Sequence, residues 1–402
     1  SSTTITFGSE AQVSSASADN FGLAFNNNTL MVGYRRDNQM MSRACTVSGT
    51  SVTVGSETTI QSSNVSGYGS TVVYDSTSDR WVIFYMTATS GRYKVCSISG
   101  TTITQGTEGA AVSNYFKGVK AVEAKSKGRI LLSYLNNSGD TQAYLRVGQV
   151  NGSSTNTITW GAVTDMSQQG NEVMKKIAVG WDDDNDKGLI TFVRANNALQ
   201  CRAFEIDTSD NSLDQGGGPT EITSNVTAFT DVVYNRDARQ WRVIFIKDGS
   251  GDNGKIQDKP CTVSNNSGFG VTVSNGEEYG PDVYSTGIFA HGGGRLAEYI
   301  GDSGILSAWR DQAGGSASRE YRIRRYGGGN MTTTEPFIGF AKGTVSDGQT
   351  CTVKVVGNTT TKSSLTPGRD YYVNADGSIS IGTSGTHRAG IAISSTSLLI
   401  RS

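Results

Sequence analysis

The sequence predicts an all-β protein, organised as a six-bladed β-propeller followed by a small C-terminal β domain. Composition is the first reason. The 402 residues include 50 Gly, 5 Pro and 18% charged residues, with abundant Ser, Thr and Asn, which suits many short strands joined by tight turns. No stretch carries the apolar period of an amphipathic helix. The second reason is a motif of alternating Thr, Ile and Val followed by glycine, which returns at intervals of roughly fifty residues. The third is a pair of apolar segments around a polar turn, found between one copy of that motif and the next.

The motif opens the chain as "SSTTITFGSEAQV" and returns as "GTSVTVGSETTI" and "GTTITQGTEGAAV". It persists more weakly as "NTITWGAVTDM", "NSLDQGGGPTEI" and "FGVTVSNGEEY". Its glycines are Gly8, Gly55, Gly106, Gly161, Gly216 and Gly276. The hairpins between copies are "GLAFNNNTLMVGY", "TVVYDSTSDRWVIFY", "KAVEAKSKGRILLSY", "IAVGWDDDNDKGLITF", "DVVYNRDARQWRVIF" and "GIFAHGGGRLAEY". A third strand follows each hairpin, as in "SRACTVS", "RYKVCSIS" and "LQCRAFEI". Hairpin, third strand and motif make a four-stranded unit, and such a twisted sheet buries both faces only when neighbours stack against it, as in a propeller. The expected blades cover 18–60, 61–112, 113–166, 167–222, 223–279, and 280–315 together with 3–13. The first motif has no hairpin before it, and the sixth hairpin has no motif after it. Residues 3–13 are therefore expected as the outer strand of the last blade, closing the ring and removing its exposed edges.

Cys45, Cys96, Cys201 and Cys261 fall in third strands, and Cys351 in the tail. Repeat-equivalent positions in successive sheets lie beyond the roughly 4.4–6.8 Å Cα separation of a disulfide, so buried free thiols are expected. With no CxxC pair, and with His291 and His387 far apart, no zinc site can be assembled. Lys and Arg total 35 against 36 acidic residues, which supplies no long-range field for nucleic acid or an anionic membrane. No apolar run reaches the roughly 18 residues of a membrane span. The chain begins Ser-Ser without a basic region or apolar core behind it, so no secretion signal is expected within it.

The repeat pattern breaks at "SREYRIRRYGGGN". The propeller is expected over residues 1–326, with Arg319, Arg322, Arg324 and Arg325 forming a solvated or interdomain strand, a linker over 327–336, and a separate β domain over 337–402. "TPGRD" and "NADG" mark turns in that domain. The phrases "FIGFAKGTVSDGQTCTVKVVG", "LTPGRDYYVNADGSIS" and "AGIAISSTSLLI", in that order, resemble the C-terminal β module of tail fibres and related virion appendages of tailed bacteriophages, especially those of marine bacteria. The resemblance covers about the last 65 residues. It implies a virion structural or receptor-engaging protein whose partners are other virion proteins and a bacterial surface polysaccharide, in a homo-oligomer.

"GDSGIL" at 301–306 has the letters of a serine-protease nucleophile loop, but His291 is the sole nearby base and the segment falls in a hairpin turn, so no catalytic residue is assigned. The sialidase turn motif S-x-D-x-G-x-x-W is not present. In "WDDDNDKG", Asp182, Asp184 and Asp186 alternate as calcium-binding carboxylates do. The following glycine is one place late and no bidentate Glu follows, so a plain hairpin turn competes with the Ca²⁺ reading, and no other cofactor is expected. Binding is expected in the variable loops between second and third strands, since a rigid framework concentrates function where its segments differ. The candidates are Arg35, Arg36 and Asn38; Asn136 and Asp140; Arg194 and Asn196; and Asp248 and Asp252. Solvated turns are the competing reading of each. The expected function is a non-enzymatic virion protein presenting a propeller to a host-surface glycan or to neighbouring virion proteins. The alternatives are a polysaccharide-degrading enzyme with carboxylates at the channel, or a purely structural decoration protein.

Overall fold

The computed structural model describes residues 11–136, 142–152, 156–167, 174–236, 238–247, 255–264, 269–274, 278–279, 297–299, 305–311, 320–326, 340–341, 353–354, 359–373, 379–381 and 387–400. The fold is all-β. Among the described residues the one helical element is a three-residue 3-10 turn at Lys125–Lys127, and no helix is long and apolar enough to cross a membrane. The chain divides into two compact units, the first Ser1–Gly301 with Ile305–Arg325, the second Asp302–Gly304 with Tyr326–Ser402.

In the first unit, five successive antiparallel sheets follow the expected repeat. Sheet one contains β1 (Asp19–Asn26), β2 (Thr29–Arg36), β3 (Gln39–Ser48), β4 (Ser51–Val54) and β5 (Thr58–Gln61). Sheet two contains β6 (Val65–Asp75), β7 (Arg80–Thr87), β8 (Gly91–Ser99), β9 (Thr102–Gln105) and β10 (Gly109–Val112). Sheet three is β11 (Phe116–Ala124), β12 (Arg129–Asn136), β13 (Ala143–Asn151) and β14 (Thr157–Asp165). Sheet four is β15 (Met174–Asp182), β16 (Lys187–Arg194), β17 (Leu199–Asp207), β18 (Ser212–Gln215) and β19 (Thr220–Thr223). Sheet five is β20 (Val226–Asn235), β21 (Gln240–Lys247), β22 (Lys255–Val263), β23 (Val271–Val273) and β24 (Glu278–Tyr279).

The second strands of sheets two to four have neighbouring sheets on both faces, and their sequences are accordingly near-continuous buried runs rather than alternations. β7 is buried from Trp81 to Met86, and β12 from Ile130 to Leu135. First strands of consecutive sheets lie side by side, β1 on β6, β6 on β11, β11 on β15 and β15 on β20. Each inter-sheet space holds its own core. Phe84, Val95, Phe116 and Leu132 fill the one between sheets two and three. Phe192 and Phe204 help fill the next, and Trp241 and Phe245 the one after it.

The recurring glycine motif departs from expectation in an instructive way. It forms two short strands rather than one in four of the five sheets, both paired with the third strand of the same sheet. The break comes where the main-chain N–H turns back to the third strand: Gly55 N–H donates to Ala44 O at 2.9 Å, Gly106 to Val95 O at 2.8 Å and Gly216 to Ala203 O at 3.1 Å. In sheet three the motif stays continuous, with a register shift opposite Arg146 and Gly148. Glycine is required because the turn of the following sheet presses against it. A Cβ on Gly55 would stand 2.5 Å from the Thr101 carbonyl oxygen, and one on Gly106 would stand 2.6 Å from the Asn156 side chain.

A further three-stranded sheet has the order β25 (Ala297–Tyr299), β26 (Ile305–Asp311) and β27 (Glu320–Tyr326). The sequence reading expected residues 3–13 beside the strand that is now β26, with which β27 is paired. The β27 sequence alternates Tyr321 and Ile323 with Arg322 and Arg324, and the arginine-bearing segment is a strand as the sequence reading had it. Residues 3–10 lie outside the described residues. Val13 packs against Val32, Tyr34 and Met41 of sheet one, and its carbonyl oxygen lies 3.0 Å from the Tyr34 hydroxyl.

The second unit has the pair β28 (Phe340–Ala341) and β29 (Val353–Lys354), and a five-stranded sheet ordered β30 (Thr359–Thr361), β34 (Ser397–Ile400), β33 (His387–Ser394), β31 (Asp370–Val373), β32 (Ile379–Ile381). Its core is Leu365, Tyr371, Ala389, Ala392 and Leu398. The "TPGRD" turn carries Gly368 at φ 79°.

Candidate functional site

With the repeats aligned on the carbonyl that receives the turned-back N–H, the preceding residue of the third strand is a cation in every sheet: Arg43, Lys94, Arg146, Arg202 and Lys259. Each donates to a main-chain oxygen of the glycine motif in its own sheet or in the preceding one. Arg43 donates to Gly55 O at 2.6 Å, Arg146 Nε to Gly161 O at 2.9 Å, and Arg202 Nη2 to Gly216 O at 3.1 Å. Lys94 donates to Ile60 O of sheet one at 2.6 Å, Arg146 to Ala111 O of sheet two, and Lys259 to Ile222 O of sheet four at 3.1 Å. On the second strands the same alignment brings together Tyr34, Tyr85, Tyr134, Phe192 and Phe245, all buried.

In sheets one and two a carboxylate two residues after the motif glycine completes the group. Tyr34 donates to Glu57 Oε2 at 2.5 Å, and Arg36 reaches Glu57 at 2.6 Å. Burial raises the Glu57 pKa, but the bonds from Tyr34 and Arg36 outweigh it and hold the carboxyl below its ordinary range. Tyr85 donates to Glu108 at 2.6 Å, and Arg92 lies 3.9 Å from the same carboxylate. Burial, then the bond to Glu108, pushes the Tyr85 pKa well up.

Sheet three differs. The equivalent position is Val163, and beside it a cavity of about 490 Å³ opens between sheets two and three, lined by Ala110, Val112, Ser113, Asn114, Tyr134, Asn136, Tyr144, Arg146 and Val163. Tyr134 and Tyr144 stack with centroids 5.6 Å apart and planes 26° from parallel. The Arg146 guanidinium sits 5.1 Å from the centre of the Trp160 ring, so two carbonyls and an aromatic face fix its orientation. Burial lowers the Arg146 pKa, and its opposing neighbours are two tyrosines, Tyr134 and Tyr93, rather than a carboxylate. Burial likewise drives the Tyr134 hydroxyl far up, so it remains a neutral donor. Among the described residues, neither the Tyr134 hydroxyl nor Arg146 Nη2 makes a hydrogen bond.

Of the residues singled out from the sequence, Asn136 lines this cavity. The others lie apart from it. Arg35 forms a two-pronged pair with Asp19 at 2.7 and 2.6 Å, and Arg36 is engaged by Glu57, so the charges of both are answered within sheet one. Asn38 takes a left-handed turn at φ 60°, and its carbonyl receives the Val65 N–H of sheet two. Arg194 and Asn196 flank the turn after β16, where Asn196 Oδ1 accepts the Ala198 N–H at 3.0 Å. Asp140, Asp248 and Asp252 lie outside the described residues.

The calcium reading of Asp182, Asp184 and Asp186 is corrected, because their carboxylates do not converge. Asp182 is buried and accepts the Asp184 and Asn185 N–H groups of its own turn, Asp184 is exposed, and Asp186 pairs with Lys127 at 2.9 Å. Among the described residues no cluster of three His, Cys, Asp or Glu is placed to hold a metal ion. Cys45, Cys96, Cys201 and Cys261 are buried free thiols as expected. Cys201 is offset by register, however, and shares the core between sheets four and five with Cys261.

Tyr134, Tyr144, Arg146, Ser113 and Asn114 escaped the sequence reading, which searched loops. The signal was the fixed third-strand cation and second-strand aromatic, visible once the repeats are aligned on their glycines.

Neither a protein-family model nor a curated protein sequence matches the chain. Among solved structures, AofleA from Arthrobotrys oligospora is similar with a TM-score of 0.49 and 11% identity over 77% of this chain and 83% of that one. A protein from Lactobacillus plantarum gives 0.48 and 10% over 76% and 84%. A fungal lectin from Aleuria aurantia, described as a six-bladed β-propeller with a novel fucose recognition mode, gives 0.40 and 11% over 64% and 78%.

Proposed function

We propose that this protein binds glycans, and that the cavity between sheets two and three is a saccharide site. One observation carries the reading: a sugar-sized space walled by two stacked tyrosines with asparagine, serine and arginine side chains at its rim. Aromatic faces pack on the apolar face of a pyranose, while amide, hydroxyl and guanidinium groups bond its hydroxyls. Among the described residues the lining holds no Asp or Glu, whereas a glycosidase uses a carboxylate pair across the scissile bond, which favours a binding site over a hydrolase site in this reading.

The finer architecture belongs to the same reading. Phe21, Leu23 and Phe25 on one face of β1 are 38%, 52% and 55% exposed, and closure of a six-sheet ring against that face would cover them. The resemblance of residues 337–402 to phage appendage modules supports a virion protein whose first unit engages a host-surface polysaccharide. The test is a glycan array with product analysis on the full chain, run beside Tyr144→Ala. Capture of intact glycan, weakened by that substitution, is expected. Release of oligosaccharides, or binding indifferent to Tyr144, would overturn the proposal.

A further inference from the structure

The three Tyr-bearing sheets are internal controls for one another. In sheets one and two, a carboxylate of the protein answers the buried tyrosine hydroxyl and a neighbouring arginine, through Glu57 and Glu108. In sheet three the carboxylate is replaced by Val163, and the Tyr134 hydroxyl and Arg146 Nη2 have no acceptor among the described residues. Space has opened where the carboxylate would be, since Val163, Tyr134 and Arg146 all line the cavity. Among the described residues Arg146 is the charged member of that lining. It is held by two carbonyls and the Trp160 ring, and no carboxylate of the described residues pairs with it.

From this we infer that the cavity selects acidic saccharides, with the carboxylate of a uronic acid or the sulfate of a sulfated sugar taking the place that Glu57 and Glu108 fill in sheets one and two. The inference rests on the glycan-binding reading above and names its ligand class. An anionic oxygen there accepts from Arg146 Nη2 and from the Tyr134 hydroxyl, and charge-assisted bonds of this kind are about twice as strong as neutral ones. The stacked ring of Tyr144 then carries the sugar to which the acid is attached. A neutral sugar leaves the guanidinium unanswered and lacks that bond.

The test titrates the full chain with tetragalacturonate and with its methyl ester, which keeps the backbone and removes the charge. Sulfated and desulfated galactan oligosaccharides form a second arm that separates carboxylate from sulfate. We expect at least about tenfold preference for an acidic member over its neutral partner, which is about 1.4 kcal/mol. Arg146→Gln and Val163→Glu should each abolish the preference, the second by restoring the internal carboxylate, with far-ultraviolet circular dichroism verifying that both fold. Equal binding of acidic and neutral partners, or a preference that survives both substitutions, overturns the inference while leaving glycan binding in place. Binding of neither kind, on these probes and on the array above, overturns the glycan reading itself.

Discussion

Replacing Gly55 by alanine tests whether consecutive sheets are locked turn against glycine. The new Cβ would stand 2.5 Å from the Thr101 carbonyl oxygen, 2.6 Å from Thr101 Cβ and 2.7 Å from the Ala44 carbonyl oxygen. Two of these are main-chain atoms, one in the β8–β9 turn and one in β3, so no side-chain rotation relieves the clash. Either sheet two moves away from sheet one, or the 2.9 Å bond from Gly55 N–H to Ala44 O is lost. Overpacking costs about 1–3 kcal/mol, and a lost backbone bond about 1 kcal/mol more. With unfolding entropy of about 2.1 cal/mol/K per residue, a cooperative unit of about 300 residues should melt about 3–6 °C lower. Gly270→Ala is the control, because its Cβ would meet nothing nearer than Ser264 Oγ at 3.5 Å. Thermal melts followed by circular dichroism, with urea midpoints alongside, decide the matter. A Gly55→Ala protein that melts with the Gly270→Ala control would refute the locking argument.

Two further outcomes are expected. Glu57 has a folded pKa below its unfolded value, so its stabilisation is complete above the ordinary carboxylate range and lost as pH falls through the folded pKa; Glu57→Gln should lower stability at neutral pH and flatten the acid limb of a stability-against-pH curve measured by urea unfolding. Burial pushes the Cys96 and Cys261 thiols up to about 12 and raises Cys45 and Cys201 as well, so iodoacetamide at about pH 8 should leave all four unmodified in the native protein and alkylate them in denaturant, as peptide mass mapping will report.

The hairpins were legible because strands buried on both faces leave a strong trace: "WVIFYM" is apolar throughout and "ILLSYL" is broken only by Ser133. The glycine repeat was legible for a related reason, since a turn from the next sheet excludes any Cβ there. What the outer strand does around that glycine was not legible, because "TVGSET" reads as one strand until the N–H of Gly55 is seen to turn back. β27 was legible as a strand from the alternation of Tyr321 and Ile323 with Arg322 and Arg324, but its pairing with β26 was not. The cavity was the least visible. Tyr134, Arg146 and Val163 are unremarkable singly, and they acquire meaning from Glu57 and Glu108, residues of other repeats. Loops drew attention instead, and there Arg35 and Arg36 proved to be spent on Asp19 and Glu57.

That contrast among repeats can be tested without any ligand, by exchanging the two residues that create it. Glu108→Val removes the acceptor of the Tyr85 hydroxyl, whose residue is fully buried, and the nearby carboxylate of Arg92. A buried donor left without a partner costs about 1–3 kcal/mol, and little is regained by a valine among polar neighbours. Val163→Glu does the opposite: Val163 is 45% exposed and so gives up little apolar burial, while the new carboxylate meets Arg146 and Tyr134. Partial exposure limits that gain to about 0.5–1 kcal/mol. Urea midpoints should therefore move in opposite directions, down for Glu108→Val and up for Val163→Glu, and high salt should shrink the second shift. Movement of both in the same direction would mean that sheets one and two do not show what sheet three lacks. The argument from compensation would then fail before any sugar was tried.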